Sequence, residues 1–469
     1  MSPHPEADTL AHFRAALYAT GLGHRKDSLF ETIDAVLTAT SPETLARLSL
    51  ASGFRRGWAS VPDGLASGQV HTDVVRALLV RNLPPVPSRE LLRPLWVGDA
   101  STWPRPEART SPERTYCHRV TAGVPQSGIV AGWEYHWLVA VPETQGSWVL
   151  PLDVTRRAPP PAAKEPAAKE TPTSVVLRQL RDVLAHYPAD APRPVVALDS
   201  NYDPVGIARA QRAPAARAGL AIDGVVRLAS HRVFLQAPGP YAGTGRPRVH
   251  GAVFRCKDPT THGCPDRQAA RDEPGYGTVT VSAWDGLHVR HAADTPFTLV
   301  RVQVGRLPRR ERPPAPLWLA WLGGPLPDDL HLVWRWYQRR FTVEHGFRFS
   351  KSTLGWTTVR PRDPAAADRW TWLLVLAFWQ LWLARGVLAD ARLPWEAPRA
   401  PERLSPGRVR RAFAGLLALL GTPARFPKPR GKSPGRRHGE VTGTAIRFSV
   451  VRRTPKHPKR PKKRLAAAA

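Results

Sequence analysis

The sequence predicts an α/β protein: a mixed sheet carrying helices, with a helical region before it and a β-rich insertion within it. Three observations carry this. From Leu95 onward short apolar runs with polar breaks (LWVGDAS, YCHRVTAG, EYHWLVAVP, SWVLPLDV) read as successive, largely antiparallel strands. The helical pattern VVLRQLRDVLAHY then leads into PVVALDS, a buried-type strand that runs towards another helix, and this alternation argues for a mixed α/β sheet. Third, the 144 residues between Asp199 and Glu344 are dominated by strand-like segments such as VVRLASHRVFLQ, GTVTVSAW and FTLVRVQVGR.

Taken in order, residues 1–85 form a helical region. HFRAALYATGL, SLFETIDAVLTA and SPETLARLSL space their apolar residues three and four apart. This region reads equally as a cap on the next domain or as a separate DNA-binding module. Residues 90–215 supply the first part of the core, interrupted at 156–172 by RRAPPPAAKEPAAKETP, whose prolines and near repeat predict a disordered linker. Residues 216–325 are the β-rich insertion, and 326–422 return to the core. The apolar run WTWLLVLAFWQLWLARGVLA, broken by Gln380 and Arg385, reads as a buried helix rather than a membrane span. Residues 423–469 form a basic tail expected to be disordered, with fifteen Lys or Arg against one acid between Arg425 and Arg464.

Composition narrows the partners. The 469 residues hold 68 Lys and Arg against 38 Asp and Glu, a net charge of +30, which points to a phosphate-rich partner. Three scattered cysteines exclude a disulfide framework and suit a reducing, cytoplasmic setting, and the N-terminus lacks an apolar signal core. Cys256, His262 and Cys264 fit no standard zinc spacing. No GxxxxGK[ST] loop occurs, so ATP dependence is not expected. Trp284 reads as a sheet-packing residue, with stacking on an extruded base as the alternative.

The chemistry concentrates in residues 333–356, VWRWYQRRFTVEHGFRFSKSTLGW. At 100° per residue a continuous helix would stack Tyr337, Glu344 and Lys351 in one row with Arg340 beside it. Glu344 could hold a divalent cation, while Arg340, Arg348 and Lys351 could bind phosphates beside the scissile bond. The bland alternative is a solvated basic face with Glu344 paired to Arg340 or Arg348. Two further acids stand at strand ends, Asp99 and Asp199, with Asp153 and Asp203 as decoys. Two-metal phosphoryl transfer uses such a carboxylate set, and oxygen ligands favour Mg²⁺, with Mn²⁺ in its place.

The spacing Tyr-x2-Arg-x3-Glu-x6-Lys, met by Tyr337, Arg340, Glu344 and Lys351, resembles the signature around the third acid of DDE-type bacterial insertion-sequence transposases. The order of Asp99, Asp199 (in LDSNY, with Tyr202) and Glu344, and the β insertion before the glutamate, are similar to that family over about residues 90–390. The first motif, VGDASTWPRP, departs from its relatives after the aspartate, with Ser101 and Thr102 there. The resemblance implies an RNase H-like core with Asp99, Asp199 and Glu344 as catalytic metal ligands. It also implies Tyr337, Arg340 and Lys351 as DNA-binding residues, with Arg348 of the same basic stretch read beside them, and a homodimer on double-stranded DNA at transposon terminal repeats and target. The implied reaction is metal-dependent end cleavage followed by strand transfer. An RNase H-like nuclease without strand transfer and a decayed DNA-binding protein are the alternatives.

Overall fold

A computed structural model describes residues 5–86, 93–118, 128–160, 170–213, 219–241, 243, 245–308, 313–429, 438–439 and 443–452. The N-terminal region is helical, as its periodicity predicts: α1 (Pro5–Ala16) runs into a π-helical turn, followed by α2 (Lys26–Thr38), α3 (Leu45–Leu48), α4 (Ser60–Ser67) and α5 (Thr72–Arg81). Residues 28–37 of α2 are buried all round. They are enclosed by α4 and by two helices from the far end of the chain, Pro364–Ala384 and Pro406–Leu420. Such burial requires paired polar groups. Arg14 meets Asp34 at 2.7 Å and also donates to Gln380 of the long apolar helix, and Glu31 accepts from Arg55 at 2.7 Å.

Among the described residues the main sheet has ten strands. β1 (Leu95–Pro104), β2 (Thr115–His118), β3 (Ile129–Ala140) and β4 (Leu150–Arg156) pair antiparallel around β3. After α6 (Pro172–Leu184), β5 (Val195–Leu198) lies parallel to β1, and after α7 (Pro204–Arg212), β6 (Asp223–Leu228) lies parallel to β5. The hairpin β7 (Val233–Leu235) and β8 (Val253–Arg255) stands apart. β9 (Arg267–Glu273), β10 (Gly277–Leu287), β11 (Phe297–Val304) and β12 (Leu317–Leu322) then extend the main sheet from β6, in the order β6-β12-β11-β10-β9. Strands β9–β12 of the insertion therefore continue the core sheet, while β7 and β8 form a small sheet of their own. The central order β4-β3-β1-β5-β6, three antiparallel strands followed by two parallel ones, is RNase H-like.

Two strands escape the periodicity rules for physical reasons. β9, RQAARDE, is a polar edge strand paired only to β10, and charge on an edge discourages pairing with another chain. β12, LWLAWL, is apolar on both faces, so it does not alternate.

Side-chain alternation on β1 and β3 divides the sheet into two faces. Gly98 faces α6: an added Cβ there would lie 3.0 Å from Val176 and 2.6 Å from Leu198. Trp103, Tyr135 and Trp137 face the other way and pack on Trp356, with centroids 5.1–6.0 Å away. That second face is covered by α8 (His331–Arg339), α9 (Thr342–Ser352) and the long helix α10 (Pro364–Ala384), with α11 (Pro406–Leu420) packed on α10 and α2. α10 is the apolar run read as a buried helix, and among the described residues no helix is long and apolar enough to cross a membrane.

Residues 161–169 of the expected linker lie outside the described residues, as do 430–437, 440–442 and 453–469 of the basic tail. Residues 443–452, expected to be disordered, are placed along the β2 edge. Val451 N donates to Arg114 O at 2.8 Å, Phe448 N donates to Arg109 O at 2.8 Å, and Arg452 lies over the Tyr116 ring. An open strand edge accepts such pairing whatever the side chains, which is why composition misses it.

Candidate active site

Asp99 lies within β1, and Asp199 is the first residue beyond β5. The parallel register pairs Gly98 with Leu198, so the two aspartates are the next residues of neighbouring strands: Asp199 stands at the carboxyl end of β5, whereas Asp99, expected at a strand end, lies midway along β1, which runs on beside β3 past the end of β5. The carboxyl end of a parallel strand is where α/β sheets carry their ligands. Asp199 is fixed by its own turn: Oδ1 accepts from Asn201 N at 2.9 Å and Oδ2 from Asn201 Nδ2 at 3.0 Å. Asp99 Oδ1 accepts from Ala100 N at 2.8 Å, and Oδ2 accepts from Arg340 Nη1 at 2.7 Å. Burial pushes the Asp99 carboxyl up to about 6; Arg340 pulls it down and the charge of Asp199 adds to the rise.

Residues 337–351 do not form the continuous row that an ideal helix would give. α8 ends at Arg339 and α9 begins at Thr342, and four bonds across the joint span three residues: Arg340 N to Tyr337 O, Phe341 N to Gln338 O, Val343 N to Arg340 O, and Glu344 N to Phe341 O. A turn tightened in this way rotates α9 about its axis relative to α8. Tyr337, expected on the DNA side, is 2 % exposed and lies beside the Arg340 guanidinium, 5.7 Å from ring centroid to carbon. Arg340, also expected to face DNA, is 6 % exposed and engages Asp99. Burial works against its charge, but Asp99 outweighs that and keeps the guanidinium firmly protonated. Arg348 is exposed, and Lys351 is half-buried with its ammonium 5.6 Å from the Trp356 ring.

Glu344 is exposed in the first turn of α9. The helix packs on β1, with Phe347 against Trp137, the residue that pairs with Asp99 across β3. Gly346 permits this approach, because an added Cβ would stand 2.3 Å from Val149. Among the described residues no group of three or more His, Cys, Asp and Glu side chains is placed to hold a metal ion. The structure thus brings Asp99 and Asp199 together, while Glu344 is exposed on the neighbouring α9 and not joined to them. The donor chemistry of the two aspartates, paired carboxylates with one raised by burial, fits a hard divalent cation that would relieve their mutual repulsion.

The decoys have other duties. Asp153 is fully buried under Arg76 at 3.1 Å, and Asp203 caps α7 through Val205 N and Gly206 N. Trp284 is 4 % exposed against Phe254 and Trp318, which removes it as a stacking platform. Behind the aspartates runs a chain that sequence reading missed apart from its aromatic. The Tyr202 hydroxyl is 3.3 Å from His136 Nδ1, His136 Nε2 is 2.9 Å from Glu134, and Glu134 is 2.8 Å from Arg157. Burial alone would raise Glu134, but His136 and then Arg157 bring it to about 2. The residues 134 and 136 alternate with Tyr135 and Trp137, and a polar pair on one face of a central strand is the signal that could have found them.

A comparison with curated proteins gives no match. The family model described as DDE superfamily endonuclease matches residues 18–290, more than half of the chain, and this stretch contains Asp99 and Asp199 but stops before Glu344. With the RNase H-like strand order and the two aspartates side by side at its centre, the chain belongs to the DDE superfamily of endonucleases.

Proposed function

We propose that the protein is a transposase that cleaves DNA at the ends of an insertion sequence and joins the freed ends to target DNA, acting as a homodimer in the bacterial cytosol. The observation that carries this reading is the adjacency of Asp99 and Asp199 next to the α8–α9 segment, which bears the Tyr-Arg-Glu-Lys spacing. Asp99 and Asp199 hold Mg²⁺ or Mn²⁺, and Glu344 is the third carboxylate. When bound, such ions activate the attacking oxygen and stabilise the leaving one in an in-line displacement at phosphorus. Asn201 keeps both oxygens of Asp199 oriented, and Arg340 holds Asp99 ionised until the site is loaded. Arg348 and Lys351 bind phosphates next to the scissile bond. Water first breaks the P–O3′ bond at the transposon end, leaving a 3′-hydroxyl. That hydroxyl then attacks a target phosphodiester, forming one P–O bond as the target strand's own 3′-oxygen leaves.

The test is plasmid excision and strand joining in Mg²⁺ or Mn²⁺ with Glu344→Gln and Lys351→Ala beside wild type. Glu344→Gln should abolish cleavage with end binding preserved, whereas Lys351→Ala should weaken end binding and slow cleavage with metal affinity intact. Wild-type cleavage by Glu344→Gln ends the assignment of Glu344. A nuclease without strand transfer is the second reading, favoured by a family match described only as an endonuclease. It predicts cut products without joined ones and no terminal inverted repeats around the gene.

A further inference from the structure

The face of the sheet that carries Asp99 continues along β1 through Trp103 to Arg105, whose backbone extends the ladder by donating to Ala131 O at 2.7 Å. The chain from α9 onward tracks the same course above it. Arg340 meets Asp99, Trp356 meets Trp103 with Lys351 over its ring, and Arg105 donates to Pro361 O at 2.8 Å.

At the far end of this course the cations have no counter-charge among the described residues. Arg105 is 7 % exposed and Arg114 3 % exposed, and both use their hydrogen bonds on neutral partners: Ser111, Pro361 O, Arg105 O, Pro106 O and Phe448 O. Nε and Nη1 of Arg105 are buried without a hydrogen-bond partner among the described residues, and the Trp133 ring lies 5.2 Å from the guanidinium. Of the acids in these segments, Glu113 and Asp368 are taken by Arg156, and Glu107 in the loop itself is exposed and makes no ion pair among the described residues. Burial and the neighbouring charges of Arg360 and Arg114 lower Arg105 to about 10, so the cluster repels itself. Exposed Arg109 and Arg360 form its rim. Buried charge that the protein does not neutralise calls for an anion from outside.

We propose that Arg105, Arg109, Arg114 and Arg360 form a docking station for backbone phosphates of the DNA flanking the cut, about 20 Å from Asp99 at roughly 3.3 Å per strand residue. Resting on the reading that this site acts on DNA, the station would engage a strand about six nucleotides from the scissile phosphate, at roughly 3.4 Å per nucleotide. The buried pair sets the potential, and the rim pair touches phosphate.

The experiment measures binding of a labelled duplex of about 20 base pairs by fluorescence anisotropy across roughly 50 to 200 mM salt. The variants are Arg109→Ala/Arg360→Ala and, as control, Arg178→Ala/Arg181→Ala on α6, which covers the opposite face of the sheet. Losing two phosphate contacts should reduce the logarithmic salt slope by about 1.8, so that wild type loses about twelvefold more affinity than the rim variant over that fourfold range. An unchanged slope overturns the station. So does an equal reduction in the control pair, which would assign the effect to overall charge. Metal-dependent plasmid nicking by wild type, assayed in parallel, separates the two readings. Nicking with an unaffected rim variant defeats the station alone, whereas a reduced slope without nicking defeats the proposed reaction and leaves the station standing.

Discussion

The carboxyl of Asp99, raised to about 6, makes a prediction that joins the fold to the site. In an unfolded chain an aspartate titrates near 3.9, so the folded protein holds this proton more tightly than the unfolded one. Ionising Asp99 therefore costs stability. The contribution is favourable below pH 4, declines as pH rises from about 4 to about 6, and is level above that. A rise of about two in pKa corresponds to about 3 kcal/mol. Asp153 is also raised to about 6 by burial, so wild type alone does not isolate the effect. The informative quantity is the difference between wild type and Asp99→Asn in urea unfolding free energy at pH 4, 5, 6 and 7, all near the transition. The variant should lose about 2 kcal/mol less than wild type across the interval, because the unfolded aspartate is already about half ionised at pH 4. The same titration governs metal binding, because a cation competes with the proton. Calorimetric Mn²⁺ affinity of wild type should fall about tenfold per pH unit below 6 and stay flat above it. Parallel stability curves, or Mn²⁺ affinity independent of pH between 5 and 7, would refute the buried, strained carboxylate.

Two further outcomes follow from packing. Gly346→Ala places a methyl 2.3 Å from Val149 and should lift α9 from the sheet, costing about 1–3 kcal/mol of stability and lowering cleavage more than a surface change on the same helix. Wild-type stability would show that α9 does not depend on that contact. Arg14→Ala strips Asp34 and Gln380 of their buried partner and should cost about 3–5 kcal/mol in denaturant unfolding, while a loss under about 1 kcal/mol would contradict the burial of this pair.

Some of this protein is written locally, and some exists only once the chain has folded. The strands β1, β3, β5 and β11, the buried character of α10 and the helical N-terminal region follow from apolar spacing, because each buries its apolar face against whatever partner it finds. Asp199 could be singled out from the sequence because a strand end is a local feature, and Asp99 from the linear order of acids, although β1 continues beyond it to Pro104. That they stand side by side was decided by the parallel register of β1 and β5, a pairing between segments about a hundred residues apart. The row of Tyr337, Glu344 and Lys351 required an ideal helix, and the tight joint at Arg340 broke it. Arg340 turned to Asp99, Tyr337 went under, and Glu344 was left exposed. The docked residues 443–452 and the uncompensated Arg105 cluster left no mark in composition beyond positive charge. A cation's neighbours are set by which strands pair and which loops cross them, and only tertiary structure decides that.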